Sequence, residues 1–522
     1  MNMLWQVLAA IVSGFLLAAA FPPLCLSSMA WVAFIPLLVV ARFSVPKNAF
    51  WLGWLSGGIF WLFSLSWLLQ LSETGGPWPL VTLGWILLAL YCGFYTGLFL
   101  MIASSFLRWL NLANSCNSEG RDDDAPAESG SSCCRLKCLC KGQLGCGRIV
   151  AVLGLPVIWV GTEYARATLL SGFPWNALGI SQFLNTPLLQ IAEWGGVYAL
   201  SAVLMMANTG MALAGLKIKD VVDRRRVPVL SLELILALGI ALACYIGGNA
   251  RQREVESWAG HSILVCAVQP NVPQLKKWPA EFAQQVYASL KSKTEMALVG
   301  SPQLVVWPET AVPGVIPDEP DALAFVSNLA VRGSPILVGS IEPGDASPAT
   351  QDIWMGDTGT PSTVMGVIPR YYNSSFLFLT NGGVAGKYRK RHLVPFGEYL
   401  PFDHQFEFVQ NLAPLGFLGE AGTNATVFRM QVPPGVLPRA KTVRGPLNVS
   451  FSGLICFEDV FAYLARDAIR KGARFLVNQT NDAWFDGTAG ALQHMSHSVF
   501  RAVENRVAMV RSANTGITCF ID

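Results

Sequence analysis

Charge is scarce in this chain. Asp, Glu, Lys and Arg make up 14% of its 522 residues, against about 25% in an average soluble domain. The net formal charge is only +3, which removes the electrostatic footprint that nucleic-acid binding needs. Histidine is scarcer still, and none of His392, His494 and His497 stands at a spacing diagnostic of a Cys-His catalytic pair. The first apolar run has no basic segment ahead of it, so it does not read as a signal peptide. Apolar side chains are abundant instead: 52% of residues are hydrophobic, with 17 Trp and 29 Phe.

That excess is unevenly spread. Seven runs approach the roughly 20 apolar residues that a spanning helix needs: 3–21, 27–42, 50–71, 79–107, 149–166, 195–215 and 228–247. Lys and Arg concentrate in alternate connections. They occur at Arg42 and Lys47, from Arg108 to Arg148, and at Lys217, Lys219 and Arg224 to Arg226, but are sparse at 22–26, 72–78 and 167–194. The bias predicts a cytoplasmic N-terminus, and seven spans then carry residue 250 onward to the outside. The expected organisation is a transmembrane helical domain at 1–250 and an extracytoplasmic α/β domain at 251–522. The 109–148 connection holds Asp122 to Asp124 and six cysteines (Cys116, Cys133, Cys134, Cys138, Cys140 and Cys146), expected in the cytosol. A disordered insertion, a zinc site and palmitoylation all fit it. At the outer edge of the fifth span stand Glu163, Arg166 and the Gly172-Phe173-Pro174-Trp175-Asn176 turn. Helix pairing and substrate contact are both open for them.

The second half alternates strands and helices. Strands are expected at 261–269, 304–307, 335–341, 373–379, 449–456 and 474–478, with pieces in 510–521. Helices are expected at 279–298, 319–332, 459–471 and 490–509. This order suggests a sandwich of sheets covered by helices. A polar loop at 342–371 and an apolar one at 399–420 interrupt it, and the second suits lipid contact or a lid.

Three reactive side chains fall at or just past strand ends. Glu309 lies in Leu-Val-Val-Trp-Pro-Glu-Thr, Lys390 in Lys-Tyr-Arg-Lys-Arg-His-Leu-Val-Pro-Phe-Gly-Glu, and Cys456 in Leu-Ile-Cys-Phe-Glu-Asp. Taken alone, Cys456 reads first as a buried structural thiol and second as a nucleophile at a helix start, where the dipole favours thiolate. A carboxylate, an ammonium and a thiol together can perform acyl transfer. The first takes the thiol proton, and the second stabilises thiolate and oxyanion.

These motifs resemble the carbon–nitrogen hydrolase (nitrilase) superfamily, whose members use a Glu-Lys-Cys triad. The strand end Val268-Gln269-Pro270-Asn271 and the stretch Asn481-Asp482-Ala483-Trp484-Phe485 narrow the match. With the polytopic first half, nearly the whole chain resembles the apolipoprotein N-acyltransferase family of bacterial inner membranes. The resemblance implies an αββα nitrilase-like sandwich on the periplasmic side. It implies Glu309 as base and acid, Lys390 as oxyanion stabiliser and Cys456 as nucleophile. Glu398 and Glu458 would order the site, and Trp278, Tyr399 and Trp484 would line its pocket. The acyl donor would be a phospholipid and the acceptor a diacylated apolipoprotein. A monomer in the bilayer, with no cofactor and no metal, is expected. The resemblance further implies strands and a last spanning helix after Asp522, so 251–522 is expected to be C-terminally truncated. Two other readings share some of these features: a membrane-tethered amide hydrolase using the same triad, and a non-enzymatic transporter or receptor.

Overall fold

The computed structural model describes residues 2–74, 76–115, 144–223, 231–257, 262–344, 370–400, 418–432 and 447–522. Most of the Cys-rich insertion and of the 342–371 and 399–420 loops lies outside the described residues. The chain divides into two compact units, Met1–Ser72 with Gly76–Glu256, and Glu73–Gly75 with Ser257–Asp522.

Among the described residues, each of the seven apolar runs of the first unit contributes a helix. They form α1 (Met3–Ala19), α2 (Ile35–Phe43), α3 (Pro46–Ser64), α4 (Trp78–Ser115), α5 (Leu144–Thr168), α6 (Ala192–Asp223) and α7 (Leu232–Glu256). By length and composition α4 to α7 can each cross a membrane. Helix α3 makes a fifth crossing if it is joined to Ser66–Ser72 across a 49° bend. The apolar helices Met3–Ala19 and Ser27–Phe43 are shorter.

Small residues let α3 and α4 meet backbone to backbone. Gly53 and Gly57 on one, and Gly93 and Gly97 on the other, repeat at four-residue spacing. A Cβ at Gly53 would stand 2.7 Å from the Thr96 carbonyl oxygen, and one at Gly57 would stand 2.7 Å from Thr96 Oγ1. Close approach of this kind replaces the hydrophobic drive that lipid does not supply.

Glu163 and Arg166 brace the turn that follows α5. The Glu163 carboxylate accepts from the Leu178 N–H at 2.6 Å, and Arg166 donates to the Phe173 and Trp175 carbonyls. Asn176 donates to Ser64 Oγ at 2.7 Å. The sequence left helix pairing and substrate contact open for this group, and the observed role is support of a loop.

The second unit contains two sheets. The first has the order β1 (Val265–Ala267), β2 (Leu304–Val306), β3 (Ile336–Pro343), β4 (Arg370–Phe378), β5 (Val384–Arg389), with β6 (Leu418–Glu420) also on β4. The second runs β11 (Cys519–Ile521), β10 (Met509–Ala513), β9 (Phe475–Thr480), β8 (Leu447–Ile455), β7 (Phe428–Val432). Leu304, Val306, Leu337 and Leu377 from the first sheet pack against Phe428, Phe451, Val477 and Val510 from the second. Val286, Leu290, Val326 and Leu329 of α8 (Ala280–Val299) and α9 (Pro320–Ala330) cover the other face of the first sheet. Helices α10 (Ala462–Arg470) and α11 (Ala489–Asn505) contact β8 and β10 of the second. The result is the expected αββα sandwich. Both faces of its central strands are covered, which explains why they read as unbroken apolar runs.

Gly57→Ala is expected to destabilise the first unit by about 1–3 kcal/mol through overpacking against Thr96. The check is the thermal unfolding midpoint of the detergent-solubilised protein. An unchanged midpoint would rule out the close α3–α4 contact.

Candidate active site

Strand pairing in the first sheet brings the Glu309 and Lys390 motifs together, and packing of the two sheets brings Cys456 of the second beside them. Glu309 lies just past β2, in a loop that crosses β3 at Gly339. A Cβ on Gly339 would stand 2.3 Å from the Pro308 carbonyl oxygen and 2.9 Å from Glu309 Cα, so only glycine lets the loop lie there. Lys390 follows β5 directly, and its N–H donates to the Asn373 carbonyl of β4 at 2.8 Å. Cys456 follows β8, with φ of 50°.

Lys390 is 1% exposed. Its Nζ donates to Glu398 Oε1 at 2.7 Å and lies 3.6 Å from Glu309 Oε1. Burial alone would lower the lysine, but Glu398, Glu309 and Cys456 outweigh it and push the ammonium above its ordinary value. Asn373 Nδ2 donates to Glu309 Oε1 at 2.7 Å and to Glu398 Oε1 at 3.3 Å. Glu398 Oε2 accepts the Val394 N–H at 2.8 Å, which closes the turn that carries it. Burial pushes the Cys456 thiol up, and the charge of Glu309 pushes it further, while Lys390 and a hydrogen bond with Thr480 pull it down.

Two expectations about the cysteine need correction. No α-helix starts at Asp459. Cys456–Val460 is a 3₁₀ turn, and α10 begins only at Ala462 because Phe461 is extended. The thiol is therefore not made acidic by a long helix dipole. Its pKa is raised, so it needs a base to ionise.

Glu458 explains the turn. Its fully buried carboxylate accepts from the Ile455 N–H at 2.7 Å, Arg391 N–H at 2.7 Å, His392 N–H at 3.2 Å, and the Tyr388 hydroxyl at 2.9 and 2.8 Å. One side chain thus ties the segment around Lys390 to the segment entering Cys456. Trp278 and Tyr399 are half-buried and stand next in sequence to Lys277 and Glu398, and Trp484 is 40% exposed in the Asp482–Phe485 turn.

Sequence reasoning missed Asn373 and Lys277. Lys277 is buried, and its Nζ donates to the Glu309 carbonyl at 3.1 Å and to Thr310 Oγ1 at 2.6 Å. Burial brings it down to about 8, against the opposing pull of Glu309 and Cys456. Glu309 is thus held at its backbone by one lysine and faces another with its carboxylate. The signal for Lys277 was its place beside Trp278. Asn373 had none, since its role depends on β4 pairing.

An αββα sandwich with Glu, Lys and Cys gathered at its strand ends defines the carbon–nitrogen hydrolase class, and the family model of that description matches residues 264–522. A second model, the apolipoprotein N-acyltransferase N-terminal domain, matches residues 13–210. The apolipoprotein N-acyltransferase of Geobacter metallireducens is 33% identical over 99% of this chain and 85% of its own length. That of Allorhizobium ampelinum is 28% identical over 99% and 86%. Among solved structures, a Saccharomyces cerevisiae member of branch 10 of the nitrilase superfamily is 21% identical, with a TM-score of 0.30 over 49% of this chain and 78% of that one. The chain belongs to the apolipoprotein N-acyltransferase family, and its apolar helices are those of a membrane acyltransferase.

Glu458→Gln is expected to lower the unfolding midpoint, because an amide NH₂ would face at least one of four N–H and O–H donors, at about 1–3 kcal/mol for each donor left unpaired. Slower alkylation of Cys456 should accompany it. Wild-type values of both would refute the linking role.

Proposed function

We propose that Cys456 takes an acyl chain from a phospholipid and passes it to the N-terminal amine of an S-diacylglyceryl-cysteine apolipoprotein, giving the triacylated form. The observation that carries this reading is the convergence of Glu309, Lys390 and Cys456, with Lys390 Nζ 3.6 Å from Glu309 Oε1 and both charges acting on the thiol. Glu309 removes the thiol proton, and the thiolate attacks the ester carbonyl. Lys390 stabilises the oxyanion, a contribution of about 2.7–4 kcal/mol for one such donor. The ester C–O bond breaks, the lysophospholipid oxygen takes the proton back from Glu309, and a thioester remains. The neutral amine then attacks that thioester, Glu309 accepts its proton, the C–S bond breaks, and the thiolate is reprotonated.

Glu398 and Glu458 order the site in this reading, and Trp278, Tyr399 and Trp484 line the acyl and acceptor pocket. Residues 1–250 anchor the enzyme in the inner membrane, and 251–522 face the periplasm, as the Lys/Arg bias supports. The phospholipid itself supplies the activated acyl group, so the reaction as written uses no cofactor or metal, and one copy of the chain provides every named group.

The test is intact mass of the detergent-solubilised protein after incubation with phospholipid alone. Wild type should gain one acyl mass that neutral hydroxylamine releases, and Cys456→Ala should gain none. A diacylated lipopeptide should then clear the adduct and become triacylated. Discharge to water instead would make the enzyme an amide-hydrolase type, and an adduct that persists in Cys456→Ala would remove the nucleophile assignment. Glu309→Gln should slow adduct formation by about 10²–10⁴-fold.

A further inference from the structure

Beneath Cys456 lie four charged side chains to which the reaction gives no role. Asp459, Asp482 and Arg511 are 0% exposed and His494 is 2% exposed. They come from four elements: Asp459 from the turn headed by Cys456, Asp482 from the turn after β9, His494 from α11 and Arg511 from β10. Arg511 reaches both carboxylates, with Nη1 2.8 Å from Asp459 Oδ2 and Nη2 3.0 Å from Asp482 Oδ2. His494 also reaches both, with Nε2 3.0 Å from Asp459 Oδ1 and Nδ1 2.9 Å from Asp482 Oδ1.

A neutral imidazole has one N–H and can donate to one carboxylate only. The alternative tautomer would accept from Arg511 Nη2, which lies 3.0 Å from Nδ1. It would leave two buried carboxylates facing a single guanidinium, a net negative charge with no partner, which is strongly destabilising. An imidazolium donates from Nδ1 to Asp482 Oδ1, sets its other nitrogen 3.0 Å from Asp459 Oδ1 as an ion pair, and balances the cluster.

Among the described residues, the side chains bonded to the cluster add no further balancing charge. Ser498 of α11 donates to Asp459, Thr480 of β9 donates to Asp482 Oδ1 at 3.1 Å, and Asn478 Oδ1 accepts from Arg511 at 3.0 Å. Arg501 of α11 faces the Asp459 and Val460 carbonyls and is paired with Glu504 at 2.7 Å. The Cys519 thiol of β11 and the Cys456 thiol also lie in the field of the cluster. Burial would raise Asp459, yet His494 and Arg511 hold it at about 2. Burial would lower His494, yet the two carboxylates, Asp459 foremost, push it up to about 9.

The cluster is coupled to the nucleophile by two routes. Thr480 bonds both Asp482 and the Cys456 thiol. Asn478 accepts from Arg511 and donates to the Cys456 carbonyl at 3.0 Å. The charge on Asp482 also acts on the thiol directly, raising it.

We propose that His494 is a positioning residue of the transfer reaction: as an imidazolium it balances Asp459 and Asp482 together with Arg511, holds the Cys456 turn, and shields the forming thiolate from an uncompensated carboxylate. The proposal rests on Cys456 being the nucleophile.

Its test is the pH dependence of Cys456 alkylation by iodoacetamide, followed by peptide mass in the full-length protein. His494→Gln should move the profile to higher pH and slow the reaction about tenfold near neutrality, the equivalent of one pKa unit. Adding Asp482→Asn to His494→Gln removes the excess negative charge and should return the profile toward wild type. A folded His494→Gln protein with the wild-type profile, or a folded double variant with no return, would overturn the proposal.

If His494→Gln does not fold, the wild-type protein decides. A histidine raised in the folded state stabilises fully below its ordinary value of 6.5, and that stabilisation is lost as pH rises through about 9. The unfolding midpoint of the catalytic unit should fall across that window, and a flat midpoint would overturn the proposal. The phospholipid-adduct experiment reports separately on whether Cys456 is the acylated residue.

Discussion

A lysine ammonium that is 1% exposed stays charged only if carboxylates surround it. The architecture around Lys390 follows from that constraint. Glu398 meets the ammonium at 2.7 Å and Glu309 at 3.6 Å. Two carboxylates so close together need a further donor, and Asn373 bonds both. Glu398 must in turn be held, and the Val394 N–H does so at 2.8 Å. Glu309 is held by a second buried lysine at its backbone. Glu398 satisfies the ammonium most directly, which leaves Glu309 as the carboxylate with the longer contact to Lys390.

The same logic operates on the other side of the cysteine. Arg511 and His494 stand to Asp459 and Asp482 as Lys390 stands to Glu309 and Glu398. The two charge groups sit in different sheets, one behind each wall of the site. Cys456 lies where they meet, at a φ of 50° that the 3₁₀ turn and Glu458 maintain. A backbone in that sparsely populated region persists when its surroundings over-determine it. Here the over-determination can be named: Ile455 N–H on Glu458, Asn478 on the Cys456 carbonyl, and Asp459 locked by Arg511.

Glu309 and Cys456 were legible as candidates because each follows an apolar strand, whereas Lys390 was read from its motif, since β5 ahead of it is polar and partly exposed. The membrane runs were legible for the same reason of length and polarity, although the lengths of α1 and of Ser27–Phe43 as crossing elements were not. What stayed hidden depends on pairing between distant segments. Asn373 reaches Glu309 only because β4 lies between β3 and β5. Strand β5 was missed because Lys387 and Arg389 interrupt its apolar pattern. The helix expected from Asp459 fails because the side chains of Glu458 and Asp459 turn back into buried networks, a competition that periodicity does not register. His494 offered no diagnostic spacing to Cys456, since its partners come from three other elements.

A raised thiol looks unsuited to a nucleophile until its causes are separated. Burial is one cause, and the charge of Glu309 is the next. In the proposed reaction Glu309 accepts the thiol proton, and that second cause disappears in the same step, while the Lys390 ammonium remains. The resting state keeps the sulfur protonated and poorly reactive, and the thiolate gains its stabilisation as it forms. The proposed second half-reaction reverses this: the departing thiolate meets a Glu309 that has just taken the amine proton. In the proposed reaction a single carboxylate beside a charged lysine serves both half-reactions, provided the second charge cluster stays neutral as a whole, so that Arg511 and His494 offset the charge by which Asp482 raises the thiol.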